Sequence, residues 1–128
     1  ILIQAVNGVS LGRYGNNPTR DVAIGRKVQF TSASTSTNFN TDTLTAIMFF
    51  VNTSGGNVTM TLSTPDRIAG NFFIVKRTSS NNSLIIVPAT GKIDGGASFT
   101  MSGALNGGGN KGAIIISDGT NWFTVGAQ

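Results

Sequence analysis

The chain contains no cysteine, no histidine and no glutamate. Without cysteine there is no disulfide and no thiolate-bound metal, so stability has to come from packing. Without histidine and glutamate the commonest general acids and bases are missing, and a serine triad has no base. Charge is scarce too, at 11% of 128 residues. That excludes a highly charged disordered chain and a long solvated helix. No apolar run approaches the roughly 18 residues of a membrane helix. The longest, Ala46 to Val51, has the length of a strand. Ile1 to Val6 is apolar but lacks the basic leader and cleavage site of a signal peptide.

What is present favours strands and turns. Thr, Ser, Asn and Gly dominate, with 17 glycines. Hydrophobic residues reach 39%, enough for one domain with a real core. The net charge of +4 would permit an anionic partner. The basic residues are scattered, however, and the pairs Arg26-Lys27 and Lys76-Arg77 sit in strand-like sequence. Strand neighbours point to opposite faces, so neither pair forms a patch, and nucleic acid is not an expected partner.

Residues 1–25 differ from the rest. A short apolar start leads into a Gly/Asn/Pro-rich stretch around Leu11-Gly12-Arg13-Tyr14-Gly15-Asn16-Asn17-Pro18. This segment is expected to be an extended N-terminal arm lying on a neighbour, with a loose terminus as the alternative. Residues 26–128 are expected to form the β domain. Val28 and Phe30 alternate with Lys27, Gln29 and Thr31, and residues 32–43 read as a Ser/Thr/Asn loop. Leu44 to Asn52 is apolar on both faces, as in a central buried strand. Ser54-Gly55-Gly56 reads as a hairpin turn. Val58, Met60 and Leu62 then alternate with Thr59 and Thr61.

Further strands are expected at Asn71 to Thr78, Leu84 to Val87, around Phe99 to Met101, at Ala113 to Ser117 and at Asn121 to Val125. A single helical turn is conceivable only at 66–70. About eight short strands separated by turns predict an all-β fold, an antiparallel β-sandwich or jelly roll.

Apparent chemical motifs do not survive their physical requirements. Gly8-Val9-Ser10-Leu11-Gly12 fits G-x-S-x-G, but that elbow needs a strand-to-helix turn and a histidine. Gly107 to Gly112 fits G-x-G-x-x-G, but a strand follows where the dinucleotide fold needs a helix. The five carboxylates, Asp21, Asp42, Asp66, Asp94 and Asp118, are dispersed. Asp94 and Asp118 precede Gly, where an aspartate caps its own turn. Asn52, Asn57 and Asn81 begin glycosylation sequons, which an Asn/Ser/Thr-rich chain acquires by chance. Trp122 reads as core or interface, with sugar stacking as the lesser alternative. No catalytic residue, cofactor or metal site is expected.

One resemblance is specific. The segments Val51-Asn52-Thr53-Ser54-Gly55-Gly56-Asn57-Val58-Thr59-Met60-Thr61-Leu62, Gly70 to Thr78, Ile93-Asp94-Gly95 and Ser117-Asp118-Gly119-Thr120-Asn121-Trp122 follow one another in a recognisable layout. That layout resembles bacteriophage tail-fibre, head-fibre and capsid-decoration (cement) proteins over residues 47–125. The resemblance implies a β-sandwich that works as a homotrimer on the outer surface of a virion. Such a protein is assembled in the bacterial host cytoplasm and has no catalytic residues. The glycine loop at 106–110 is longer than the layout leads one to expect, and residues 1–25 have no counterpart in it. The partners implied are other virion proteins, namely major capsid or fibre subunits. A receptor-binding tip recognising a host surface glycan is the alternative. The candidate partner contacts are Leu11, Arg13, Tyr14 and Arg20 in the arm and Trp122 in the last strand.

Overall fold

The computed structural model describes residues 29–109 and 111–126. Among these residues, nine strands and one 3-10 turn make up the regular structure: β1 Ser32–Thr35, β2 Phe39–Asn40, β3 Met48–Val51, β4 Val58–Leu62, the turn Thr64–Asp66, β5 Phe72–Arg77, β6 Leu84–Pro88, β7 Phe99–Met101, β8 Gly112–Ser117 and β9 Trp122–Val125. The fold is all-β, as the composition predicts.

The pairing departs from the antiparallel expectation. One sheet, A, has the order β1-β3-β5-β8-β9, and the other, B, has β2-β4-β6-β7. Through β6 the chain alternates between the sheets, so successive coils stack in parallel: β1 on β3 on β5, and β2 on β4 on β6. Only the last three strands run antiparallel to their neighbours. Both sheets are therefore mixed. The Ser54-Gly55-Gly56 turn is not a hairpin, because β3 and β4 belong to different sheets. It turns the chain across the core instead.

The segment read as a loop at 32–43 contains β1 and β2. Its Ser/Thr sequence carries almost no period-2 signal. Its strand character comes from pairing, as Ser32 to Thr35 lie beside Met48 to Val51. Phe30, expected within a strand, precedes the first one.

The core lies between the sheets and is built from alternate residues. Sheet A sends in Phe49, Val51, Phe73, Val75, Ala113, Ile115 and Trp122. Sheet B sends in Phe39, Val58, Met60, Leu62, Leu84, Ile86 and Met101. An aromatic series crosses it, Phe39 to Phe49 to Phe73 to Trp122, with ring centroids 5.1, 5.7 and 5.9 Å apart. Each such side chain contributes roughly 1.5–3 kcal/mol by leaving water. Trp122 is fully buried here, so it offers no partner contact on the surface. Its Nε1–H has no hydrogen-bond partner among the described residues, and the ring is held by packing alone.

Arg77 is the unforeseen member of this core. The strand alternation that turns Lys76 outward turns Arg77 inward, where it is completely buried. Its guanidinium donates to the carbonyls of Ser79 (2.6 Å), Asn82 (3.3 Å) and Gly103. One cation thus ties the β5–β6 connection to the loop after β7. Charge-assisted bonds of this kind are among the strongest a buried group can make. Gly109 closes the same region. A Cβ there would lie 2.4 Å from the Gly103 carbonyl carbon, so the long glycine loop is a close backbone crossing.

Candidate functional site

Among the described residues, the outward-facing side chains of sheet A are mostly apolar. Strand register brings them into rows. Ser32, Met48, Ile74, Ile114 and Val125 line up across all five strands. Below them lie Phe72, Ile116 and Phe123. Above them lie Ser34, Phe50, Lys76 and Gly112. Phe30 adds a ring at the lower rim, edge-on to Phe72 with centroids 6.1 Å apart.

Phe30, Phe50, Ile114, Phe123 and Val125 are all exposed, between 38% and 47%. The apolar-on-both-faces pattern of β3 and β8 therefore does not mean burial on both faces within one chain. Lys76 is the one charged residue in these rows. Five strands spaced about 4.8 Å apart and some four residues deep give a patch on the order of 300 Å². That is the low end of the about 300–600 Å² of the largest apolar patch on an ordinary monomer, a patch that is often functional.

The outer face of sheet B is different. Its rows are Asn40, Thr61 and Val87, and Thr59, Ile85 and Thr100. Asn38, Asn40, Thr43, Thr59 and Thr61 border a shallow depression there of about 450 Å³.

The aspartates take structural posts. Asp118 accepts the amides of Thr120 (2.8 Å) and Asn121 (2.7 Å), the expected turn cap. Those amides, Asn121 first, hold its carboxyl below the usual value of 3.8. Asp94 does not cap its own turn. It sits at φ +48° before Gly95 at +80° and reaches to β9, accepting Thr124 N (3.0 Å) and Thr124 Oγ1 (2.6 Å). Asp42 and Asp66, far apart in sequence, line one cavity of about 330 Å³ with Thr31, Thr41, Asn71 and Phe73. Asp66 Oδ2 there accepts two hydroxyls at 2.6 Å, from Thr41 and Ser63. That fastens the 3-10 turn to the β2–β3 loop.

Among the described residues no group of three or more side chains could hold a metal ion. No helix among them is long and apolar enough to cross a membrane. Of the expected partner contacts, Leu11, Arg13, Tyr14 and Arg20 lie outside the described residues, as does the Gly8 to Gly12 motif. Trp122 lies beneath the apolar face rather than on it. Sequence reasoning named none of the residues on that face as contacts. The signal was there in the apolar residues at both parities of β3, β5 and β8.

Comparison with known proteins finds no family model that matches the chain, and no curated protein or solved structure that matches it.

Proposed function

We propose that the chain is a non-enzymatic structural module of a bacteriophage particle, a capsid-decoration or fibre component that acts by assembly with copies of itself. The observation that carries this reading is the outer face of sheet A. Among the described residues the core between the sheets is complete without it, and nothing described covers its apolar rows. Covering Ile114, Val125, Phe50 and their neighbours gains the hydrophobic energy that the lone chain forgoes.

The assembly we propose is a homotrimer, as in the fibre and decoration proteins that the sequence layout resembles. A face of roughly 300 Å² is well short of the about 800 Å² per partner of a standard interface. Further contact area must come from elsewhere, and the N-terminal arm is its natural source. Other virion subunits would then be held by the finished trimer on the particle surface.

Sedimentation at micromolar concentration tests the reading. The wild-type chain should run as a trimer. Ile114→Asp should run as a monomer while keeping the buried fluorescence of Trp122. A wild-type monomer would remove the reading's support. If instead the monomer binds bacterial surface glycans through the Thr/Asn face of sheet B, the receptor-binding alternative takes its place.

A further inference from the structure

We infer that the two ends of the strand stack are complementary contact surfaces, so that the basic end of one copy seats on the acidic end of the next. This goes beyond the sheet A reading and does not depend on it. The surfaces are the connections between strands, not the outer face of a sheet.

The topology sorts the connections into two groups. Residues 41–47, 63–71, 89–98 and 118–121 meet at one end. There Thr41 Oγ1 donates to Asp66 Oδ2 (2.6 Å), Arg67 Nη1 to the Thr120 carbonyl (3.0 Å) and Trp122 N to the Lys92 carbonyl (2.7 Å). Residues 36–38, 52–57, 78–83 and 102–109 meet at the other, with Lys111 beside them. There Asn82 Nδ2 donates to the Thr53 carbonyl (2.8 Å), Leu105 N to Ser80 Oγ (3.1 Å) and Arg77 N to the Lys111 carbonyl (3.0 Å).

The charges follow this division. All four aspartates among the described residues, Asp42, Asp66, Asp94 and Asp118, lie at the first end, with Arg67 and Lys92 as the cations there. The second end carries Lys76 and Arg77 at the close of β5 and Lys111 just before β8, and no carboxylate among the described residues. Lys76 and Lys111 border one open depression of about 400 Å³ together with Ile74 and Ile114. A carboxylate entering it meets two ammonium groups. Asp42 is exposed and makes no hydrogen bond among the described residues, so it is free to enter. The length of β5 holds the two ends about 20 Å apart, beyond the roughly 8 Å over which charges act in physiological salt. The ends therefore do not neutralise each other within one chain. Like ends repel and unlike ends attract, which fixes a head-to-tail order. Because the ends face opposite ways, the contact does not close on itself and repeats as a column along the strands. A second copy is the partner that fits, since each end carries the charge that the other lacks.

Salt and charge reversal test this together by sedimentation of the full chain. In about 0.01 M salt, where charges act over about 30 Å, the wild type should show at least twice the mass it has in about 1 M salt. Lys111→Asp alone and Asp42→Lys alone should each stay at the high-salt mass while keeping the buried fluorescence of Trp122. If Lys111→Asp loses that fluorescence, Lys76→Asp takes its place. An equal mixture of the two variants should regain the growth, because each supplies the charge that the other has reversed. A wild type whose mass ignores salt overturns the inference. So does growth that survives either single substitution, or a mixture that fails to grow. The sheet A reading is judged apart from this, by the mass in high salt. A monomer there removes that reading, and salt-dependent growth from the monomer still supports the end-to-end contact.

Discussion

The two outer faces of this molecule come from the same alternation and differ in how much of each is apolar. On sheet B, the outward positions of β4 are Thr59 and Thr61, flanked by Asn40 on β2 and by Ile85 and Val87 on β6, with Thr100 beyond on β7. On sheet A, the outward positions of β3, β5 and β8 are Met48, Phe50, Phe72, Ile74, Ile114 and Ile116. Backbone pairing is satisfied in both sheets, and both send apolar residues inward. The difference is therefore not a demand of the fold. A strand with water on one side needs only one apolar face, and β4 of sheet B is of that kind. Sheet A carries a second apolar face, which has value only where something covers it.

The comparison depends first on the core that both sheets share. Trp122→Ala should remove the end of the aromatic series and cost about 3–5 kcal/mol in denaturant unfolding. Trp122→Phe should cost much less, since stacking on Phe73 survives and the unpartnered N–H disappears. Arg77→Met should come next. It leaves the carbonyls of Ser79, Asn82 and Gly103 without their shared donor, at about 1–3 kcal/mol for each buried group that water cannot reach.

The faces themselves should then separate. Ile114→Asp on sheet A should abolish assembly in sedimentation yet leave unfolding of the isolated chain nearly unchanged. Thr61→Asp on sheet B should change neither, staying within about 0.5 kcal/mol. An equal effect of the two substitutions on assembly would erase the distinction. The smallest effect belongs to Asp118. Its carboxyl is depressed in the folded chain, so its contribution is full above the ordinary value of 3.8 and is lost as pH falls through the lower folded value. Acid titration of stability should show this slight loss in the wild type. Asp118→Asn, whose amide oxygen still accepts the Thr120 and Asn121 amides, should lack it.

Several elements were readable before the fold was known. The alternation of Val58, Met60 and Leu62 against Thr59 and Thr61 places each residue on the side it occupies. The opposite facing of Lys76 and Arg77 follows from the same period. Asp118-Gly119 is a turn capped by its aspartate, and Asp94-Gly95 is a tight turn. Other elements carried no such mark. Ser32 to Thr35 and Phe39-Asn40 are too short and too polar to declare themselves, and they are strands because β3 and β4 lie beside them. Parallel stacking was hidden because period-2 alternation is the same in parallel and antiparallel strands. Asp94 misled because its carboxylate reaches a strand 30 residues away instead of its own backbone.

The sequence by itself determined that this is an all-β chain without disulfides, with its strands punctuated by Gly, Asn and Asp, since those properties depend on each residue and its near neighbours. Only the tertiary structure decided which strands are partners and which apolar parity is buried. Pairing is a choice among distant segments, and it is settled by which arrangement closes one core. Once Phe49, Phe73 and Trp122 had been drawn inward, Phe50, Phe72 and Phe123 were left on the outside by the geometry of the pleat.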